Sequence, residues 1–394
     1  MSTPSPHVVV IGAGAFGGWT ALELRRRGAR VTLLDAWGPG HSRSSSGGET
    51  RIIRGVYGPD KVYVDWVARA FPLWREAEAR FHLPLYHRTG CLWMCGDDDA
   101  YVRTSLPHLA DAGLAIAELS VAEARRRFPQ IDFAGVASVF YEEEAGYLLA
   151  RRACRAVAAG VAAEGGEVRL AAAAPGPTAH GRLERLDLAG GATLAADLYV
   201  FACGPWLGGL FPEVIGERRI LSSRQEVFYF GPPAGDPRFE EGACPVWIDL
   251  SGERIYYGIP GNEHRGFKLA DDTRGEPLDP TTAERTVTSA LLAAARSAMA
   301  RRFPALAGAP LVETRICQYE NTPDGHLLFD RHPHAANVWL LGGGSGHGFK
   351  LGPALGQYAA EAILADRAPL PLFALERPAF THGAPVRTQF DAAG

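Results

Sequence analysis

The sequence predicts an α/β chain with an α+β second unit, and three observations carry that reading. A short apolar strand, a glycine-rich turn and a helix open the chain, and the same order of strand, glycine turn and helix returns near its end. Between them, residues 223–260 alternate apolar and polar side chains, the mark of an antiparallel sheet with one buried face. At roughly 150 residues per domain, 394 residues hold two or three such units. A nucleotide-binding domain assembled from distant segments and interleaved with a second domain fits this order.

Residues 7–11 (His-Val-Val-Val-Ile) read as a strand. Gly12-Ala-Gly14-Ala-Phe-Gly17 then opens a helix that runs to Arg27 and stops at Gly28, and Arg30 to Leu34 is a second strand ending at Asp35. From Asp60 to Phe81, Val62, Tyr63, Trp66, Val67, Ala70, Phe71 and Trp74 follow the spacing of an amphipathic helix. Strands are expected near 91–94 and 135–141. A helix is expected over Leu148 to Glu164, then strands over 168–170, 183–188 and 198–201, with Ala171 to Pro177 as a loop. A helix from Thr281 to Arg302, with Asp279 as its N-cap, follows the alternating stretch. The strand Val338 to Leu341 then enters Gly342-Gly-Gly-Ser-Gly-His-Gly348 and a helix over 352–366.

Composition removes several classes of function. Forty Lys+Arg against 44 Asp+Glu give a net charge of −4, so no overall basic field is present to hold nucleic acid or an anionic membrane. No run approaches the ~18 apolar residues of a membrane span, and the N-terminus enters a structured motif at once, which leads us to expect a cytoplasmic protein. The six cysteines (Cys91, Cys95, Cys154, Cys203, Cys244, Cys317) are scattered without a C-x-x-C pair and read as reduced thiols. Only Lys61, Lys268 and Lys350 are lysine among the 40 cations; where arginine is the general cation, a lysine marks a place for a compact, titratable ammonium.

G-x-G-x-x-G alone is a weak signal, but here it follows a strand, opens a helix and precedes an acid 18 residues beyond its last glycine. Gly12 permits the tight turn, Gly14 lets backbone approach a pyrophosphate, and Gly17 allows close helix–strand packing in this Rossmann-type βαβ unit. The helix N-terminus adds positive potential. Asp35 is placed to accept hydrogen bonds from an adenosine ribose and to repel a 2′-phosphate, which disfavours NADP. The motif leaves NAD and FAD both open.

At Gly47-Gly-Glu-Thr-Arg-Ile-Ile-Arg-Gly-Val-Tyr57 and at Ser345-Gly-His-Gly-Phe-Lys350 the chain closely resembles the monomeric sarcosine oxidase and N-methyltryptophan oxidase family, within the D-amino-acid-oxidase-like flavoproteins. The likeness also takes in the stretch ending at Trp206, Tyr257 to Pro260 leading to Gly266-Phe-Lys268, and Cys317 to Tyr319. The resemblance implies FAD as cofactor, joined covalently to Cys317. It makes Lys268, Arg51, Tyr257 and Tyr319 the catalytic set, with the Lys268 ammonium facing O2 and Arg51 close to the flavin ring. Arg54 and Lys350 become the pair that grips a substrate carboxylate, and Tyr257 and Tyr319 line the substrate pocket. Gly12, Gly14, Gly17, Asp35, Arg51, Trp206, Cys317, Gly344, Gly346, His347, Gly348 and Lys350 fall on the cofactor side, where the main chain of the terminal turn supports negative charge better than the His347 imidazole.

The resemblance further implies an oxidase that converts the C–N bond of a secondary (N-methyl or cyclic) or primary amino acid to an imine while O2 becomes H2O2. It implies a monomer whose partners are a small amine substrate and O2, with no metal. Gly47 and Asp272 stand where sarcosine oxidases carry histidines, and Ile259 and Gln318 also differ, so a substrate other than sarcosine is expected. Residues 1–84, 145–218 and 322–385 are expected to form the Rossmann-type FAD-binding domain, interleaved with an antiparallel-sheet substrate domain from 85–144 and 219–321, and 386–394 form a C-terminal tail. The rival readings are an FAD-dependent dehydrogenase that passes electrons to a carrier, an NAD-dependent dehydrogenase, and a catalytically silent flavin-binding protein.

Overall fold

A computed structural model describes residues 5–273 and 275–381; the expected tail at 386–394, and residues 382–385, lie outside them. The strand His7–Ile11 is buried along its whole length, as an apolar run covered on both faces must be. It pairs in parallel with Arg30–Asp35 on one side and Leu198–Phe201 on the other. Glu167–Leu170 extends this sheet beyond Arg30–Asp35, Ala335–Gly342 extends it beyond Leu198–Phe201, and Leu328–His332 closes that edge as its one antiparallel strand. The helices Ala15–Arg26, Ala150–Ala163, Lys61–Phe81 and Gly352–Leu364 pack on one another in the largest apolar core.

The second sheet has eight strands, in the order Leu311–Asn321, Leu221–Phe230, Phe267–Asp271, Tyr256–Ile259, Val246–Leu250, Cys91–Cys95, Ser138–Glu142 and Ile116–Leu119. Every neighbouring pair is antiparallel except Val246–Leu250 with Cys91–Cys95, which run parallel. Leu221–Phe230 is buried on both faces and not on one. Phe228 and Phe230 join a core with Phe267, Phe303 and the helix Ser289–Arg302, while Val227 and Tyr229 face the other way beside Ala270, Tyr257 and Cys317. A small third sheet sets Gly146–Leu149 between Thr50–Ile53 and Tyr86–His87.

Three expectations of local structure are corrected. The helix expected from Thr281 begins at Ser289, where Thr288 Oγ1 accepts the Leu291 N–H. Asp279 caps only a single turn, taking the N–H groups of Thr281 and Thr282, and Arg224 then captures the carbonyls of Glu284 and Thr286 that a helix would need. The helix expected from Leu148 begins at Ala150, because Leu148 and Leu149 are drawn into pairing with Arg51 and Thr50. The loop expected at 171–177 contains the strand Ala173–Pro175, paired with Leu186–Leu188. No helix among the described residues is long and apolar enough to cross a membrane.

Candidate active site

A cleft of about 1580 Å³ runs along the carboxyl ends of the parallel strands. Gly12, Gly14, Asp35, Trp206, Gly344, Gly346 and Gly348 all line it. Asp35 is chiefly a clamp on this turn. Its Oδ2 accepts the Ala13 N–H at 2.8 Å, and its Oδ1 accepts those of Trp37 at 2.9 Å and Gly38 at 2.7 Å. Of about four acceptor positions on a carboxylate, one is left for a ligand. Gly17 lies beneath the turn, so close to Gly12 that a Cβ would stand 1.9 Å from the Gly12 carbonyl oxygen. Trp206 sits at the rim, its Nε1 donating to Thr281 Oγ1 at 2.9 Å.

The eight-stranded sheet turns one face toward this cleft. Directly paired residues share a face, and the register pairs Cys317 with Gln225, Tyr319 with Ser223, Lys268 with Tyr229 and Tyr257 with Ala270. Cys317, Tyr319, Lys268 and Tyr257 therefore project from the same side, across from Arg51 and Arg54 at the Thr50–Ile53 strand. Between them lies an inner cavity of about 50 Å³, lined by Arg51, Arg54, Lys268, Lys350, Tyr257, Tyr319, His347 and Asp272 among others. Arg51, Tyr319, Gly346 and Phe349 line both spaces and form their common wall.

The inner cavity is cationic. Four side chains of positive type meet one carboxylate, Asp272, among its described lining residues. Two of the three lysines of the chain are here: Lys268 is 2% exposed and Lys350 4%, whereas Lys61 lies on the surface paired to Asp65 at 2.6 Å. Lys268 Nζ donates to the Thr50 carbonyl at 3.2 Å, and burial, then Arg51, pushes its pKa down to about 7. Lys350 Nζ donates to Tyr57 Oη at 2.8 Å and to the His347 carbonyl at 2.7 Å; burial, then Arg54, holds it well below the ordinary lysine value. An arriving anion offsets both effects, so the cavity favours a ligand of negative charge.

Several supports for these cations went unnoticed in the sequence. The Arg54 guanidinium donates to the Val56 carbonyl and lies 4.6 Å from the centre of the Tyr57 ring and 5.2 Å from that of Trp93. Buried Glu142 accepts the Gly55 N–H at 2.6 Å and Trp93 Nε1 at 2.7 Å, fixing the segment that presents Arg54. Tyr57 closes the Gly47–Tyr57 segment and so has a signal in the sequence, whereas no local pattern singles out Glu142. Tyr319 Oη donates to Asp272 Oδ1 at 2.6 Å, and burial, then Asp272, raises the phenol well above its usual value. His347 is held neutral by burial and by Lys350, with its Nε2 2.9 Å from the Gly325 carbonyl.

Cys317 lines neither space. Its sulfur lies 3.4 Å from an Arg51 nitrogen and 3.9 Å from the carbonyl of Ser45, a residue of the cleft wall. Among the described residues no cluster of His, Cys, Asp and Glu side chains is suited to a metal ion.

A mostly parallel sheet whose glycine-rich turn and carboxyl ends open on a cleft of this size defines a dinucleotide-binding protein. The family model described as FAD dependent oxidoreductase (DAO) matches residues 7–362, and the chain belongs to that family. Among its relatives, the monomeric sarcosine oxidase of Streptomyces avermitilis is 31% identical over 367 residues, covering 92% of this chain and 94% of that one. The monomeric sarcosine oxidase of Bacillus sp. (strain B-0618) is 28% identical over 391 residues, covering 94% and 96%. In fold the chain is similar to L-proline dehydrogenase from P. horikoshii, with a TM-score of 0.83 at 21% identity over 97% of this chain and 99% of that one.

The residues of the cleft fit FAD. Gly14 has φ −75°, and a Cβ there would meet only Ser46 Oγ at 3.5 Å, so nothing in the protein's own packing asks for glycine; a close ligand does. Two buried side-chain oxygens of the cleft wall, Ser45 Oγ and Glu320 Oε2, have no hydrogen-bond partner among the described residues. The cleft exceeds the ~300–1,000 Å³ usual for small-ligand sites, as an extended dinucleotide requires.

Proposed function

We propose that this flavoenzyme oxidises the C–N bond of an amino acid to an imine and delivers the electrons to O2, giving H2O2. Bound FAD supplies the two-electron acceptor. The reading is carried by the cation-rich inner cavity: Arg54 and Lys350 meet a carboxylate there and fix the substrate's orientation by two charged contacts. Their field, with that of Arg51, lowers the pKa of a neighbouring amine and keeps its lone pair free. Tyr257 and Tyr319 close the sides, and Asp272, held by Tyr319, gives the pocket an acceptor on its amine side. Lys268, on the same sheet face, offers a compact cation for the negative charge that develops on oxygen.

We further propose that Cys317 carries the flavin covalently, its sulfur being held beside the cleft wall by Arg51 and Ser45. In the same reading the chain acts as a monomer in the cytoplasm. Residues 1–84, 145–218 and 322–385 then hold FAD, and 85–144 with 219–321 hold the substrate.

Anaerobic mixing with a panel of N-methyl, cyclic and primary amino acids tests the reaction. At least one is expected to bleach the flavin, and admitting air should restore the colour with one H2O2 per turnover. Failure of every amino acid to bleach it, or reoxidation only by an added carrier, would remove the oxidase reading. Acid precipitation tests Cys317: the yellow colour should remain with the pellet, and should leave with the supernatant in Cys317→Ser.

A further inference from the structure

Glu320 is an unexpected carboxyl in the wall of the cleft. It lies at the far end of the strand that carries Cys317 and Tyr319, it is 7% exposed, and it lines the large space. Its Oε1 accepts the Gly344 N–H at 3.3 Å, whereas its Oε2 has no partner among the described residues. The carboxyl is seated against glycines: a Cβ on Gly344 would come within 3.1 Å of Oε1, and one on Gly204 or Gly342 within 3.5 Å of Oε2. A buried carboxyl oxygen left without a donor is costly, so its place beside a ligand cleft calls for a donor on the ligand.

We propose that Glu320 is a cofactor-binding residue whose carboxyl group hydrogen-bonds a hydroxyl of the ribityl chain of bound FAD. This rests on the reading that the reacting end of FAD lies toward the inner cavity. FAD offers a Glu320 carboxyl few suitable neighbours. Its pyrophosphate is anionic and a pure acceptor, and it belongs with the backbone at Gly14 and the helix N-terminus. The adenosine ribose belongs with Asp35, at the end of the second strand. Glu320, in contrast, is bonded to Gly344, two residues from Gly346, which belongs to the wall shared with the inner cavity. The hydroxyl-bearing part of FAD nearest that wall is the ribityl triol. Burial pushes the Glu320 carboxyl up to about 7, against the pull of the Gly344 and Gly343 N–H groups, so near neutrality it can either accept or donate to a hydroxyl.

The test uses the full chain with Cys317→Ser, so that FAD exchanges freely, and reads FAD affinity by quenching of flavin fluorescence. Glu320→Leu should weaken FAD about 10- to 100-fold, the loss expected for a hydrogen bond to a charged or part-charged group. Glu320→Gln, which keeps an acceptor oxygen and gains a donor, should recover most of it. An FAD analogue lacking one ribityl hydroxyl should bind the parent protein at least tenfold more weakly yet bind Glu320→Leu and the parent alike. Equal or tighter FAD binding by Glu320→Leu, or indifference of the parent to every ribityl deoxy analogue, overturns the proposal. If Glu320→Leu does not fold, the analogue series on the parent decides by itself. A parent protein that binds FAD but ignores these changes refutes this inference alone; one that binds no flavin refutes the reading of the cleft.

Discussion

Gly14→Ala separates a glycine kept for the cofactor from glycines kept for the fold. A Cβ on Gly12, whose φ is +106°, would lie 2.3 Å from the Ala202 carbonyl oxygen, and on Gly17 1.9 Å from that of Gly12. Both need the backbone to move by about 1 Å, given the ~3 Å at which such atoms normally touch. On Gly14 the nearest atom is 3.5 Å away. Without cofactor, Gly14→Ala gains ~0.4–1 kcal/mol from a less flexible unfolded chain and loses a similar ~0.5–1 kcal/mol as a poorer helix N-cap. The apoprotein should therefore melt within about 2–4 °C of the parent. With FAD, the added methyl holds phosphate oxygens off N–H groups they must reach at ~2.7–2.9 Å. Loss of two such bonds at ~1.5–3 kcal/mol each weakens FAD by ~3–6 kcal/mol, about 10²- to 10⁴-fold. Thermal melts and FAD titration of the Cys317→Ser protein, with and without Gly14→Ala, read the two quantities separately. Undiminished FAD affinity in Gly14→Ala, or a fall in melting temperature as large as that of Gly17→Ala, would refute the reasoning.

Four further outcomes follow from the geometry. Lys268→Met should slow reoxidation by O2 about 10²- to 10³-fold, in line with the loss of one preplaced electrostatic contact, while anaerobic reduction by substrate changes far less; stopped-flow traces of the two half-reactions check this. Because burial and Arg51 lower Lys268 to about 7, its positive charge is present below that pH and lost above it, so parent reoxidation should decline as pH rises through a value at or somewhat above 7, a limb absent from Lys268→Met. Lys350→Met should raise KM for an amino acid about 10- to 100-fold, the worth of a charged hydrogen bond, with little effect on binding of the corresponding amine without a carboxylate. Arg302→Leu takes from fully buried Asp249 its nearest cation, at 2.9 Å, and leaves it Ser251 and the more distant Arg301 at 3.4 Å; the loss should fall at or below the lower end of the ~3–5 kcal/mol for a broken buried pair, read by urea unfolding of an apoprotein that unfolds in one step.

Elements governed by local rules are legible in the sequence. The opening strand, turn and helix declare themselves in about 20 consecutive residues, because the glycine spacing and the periodicity answer to backbone geometry alone. The helix expected over 281–288 does not form, for the complementary reason. Its composition suits a helix, but Arg224, roughly sixty residues upstream, takes two of its carbonyls, and no window of neighbouring residues contains that competitor.

The same division holds at the candidate site. The family resemblance, the dinucleotide turn and the rarity of lysine are all present in the linear order of residues, since each is a property of residue type and spacing. That Lys268 and Lys350 lose their water together in one cavity, that Tyr57 and Glu142 hold its cations, and that Asp35 spends most of its acceptor capacity on its own turn emerge only when the chain is folded. Charge, solvation and hydrogen-bond supply depend on what surrounds a group in space, and those surroundings are assembled from chain segments up to 293 residues apart.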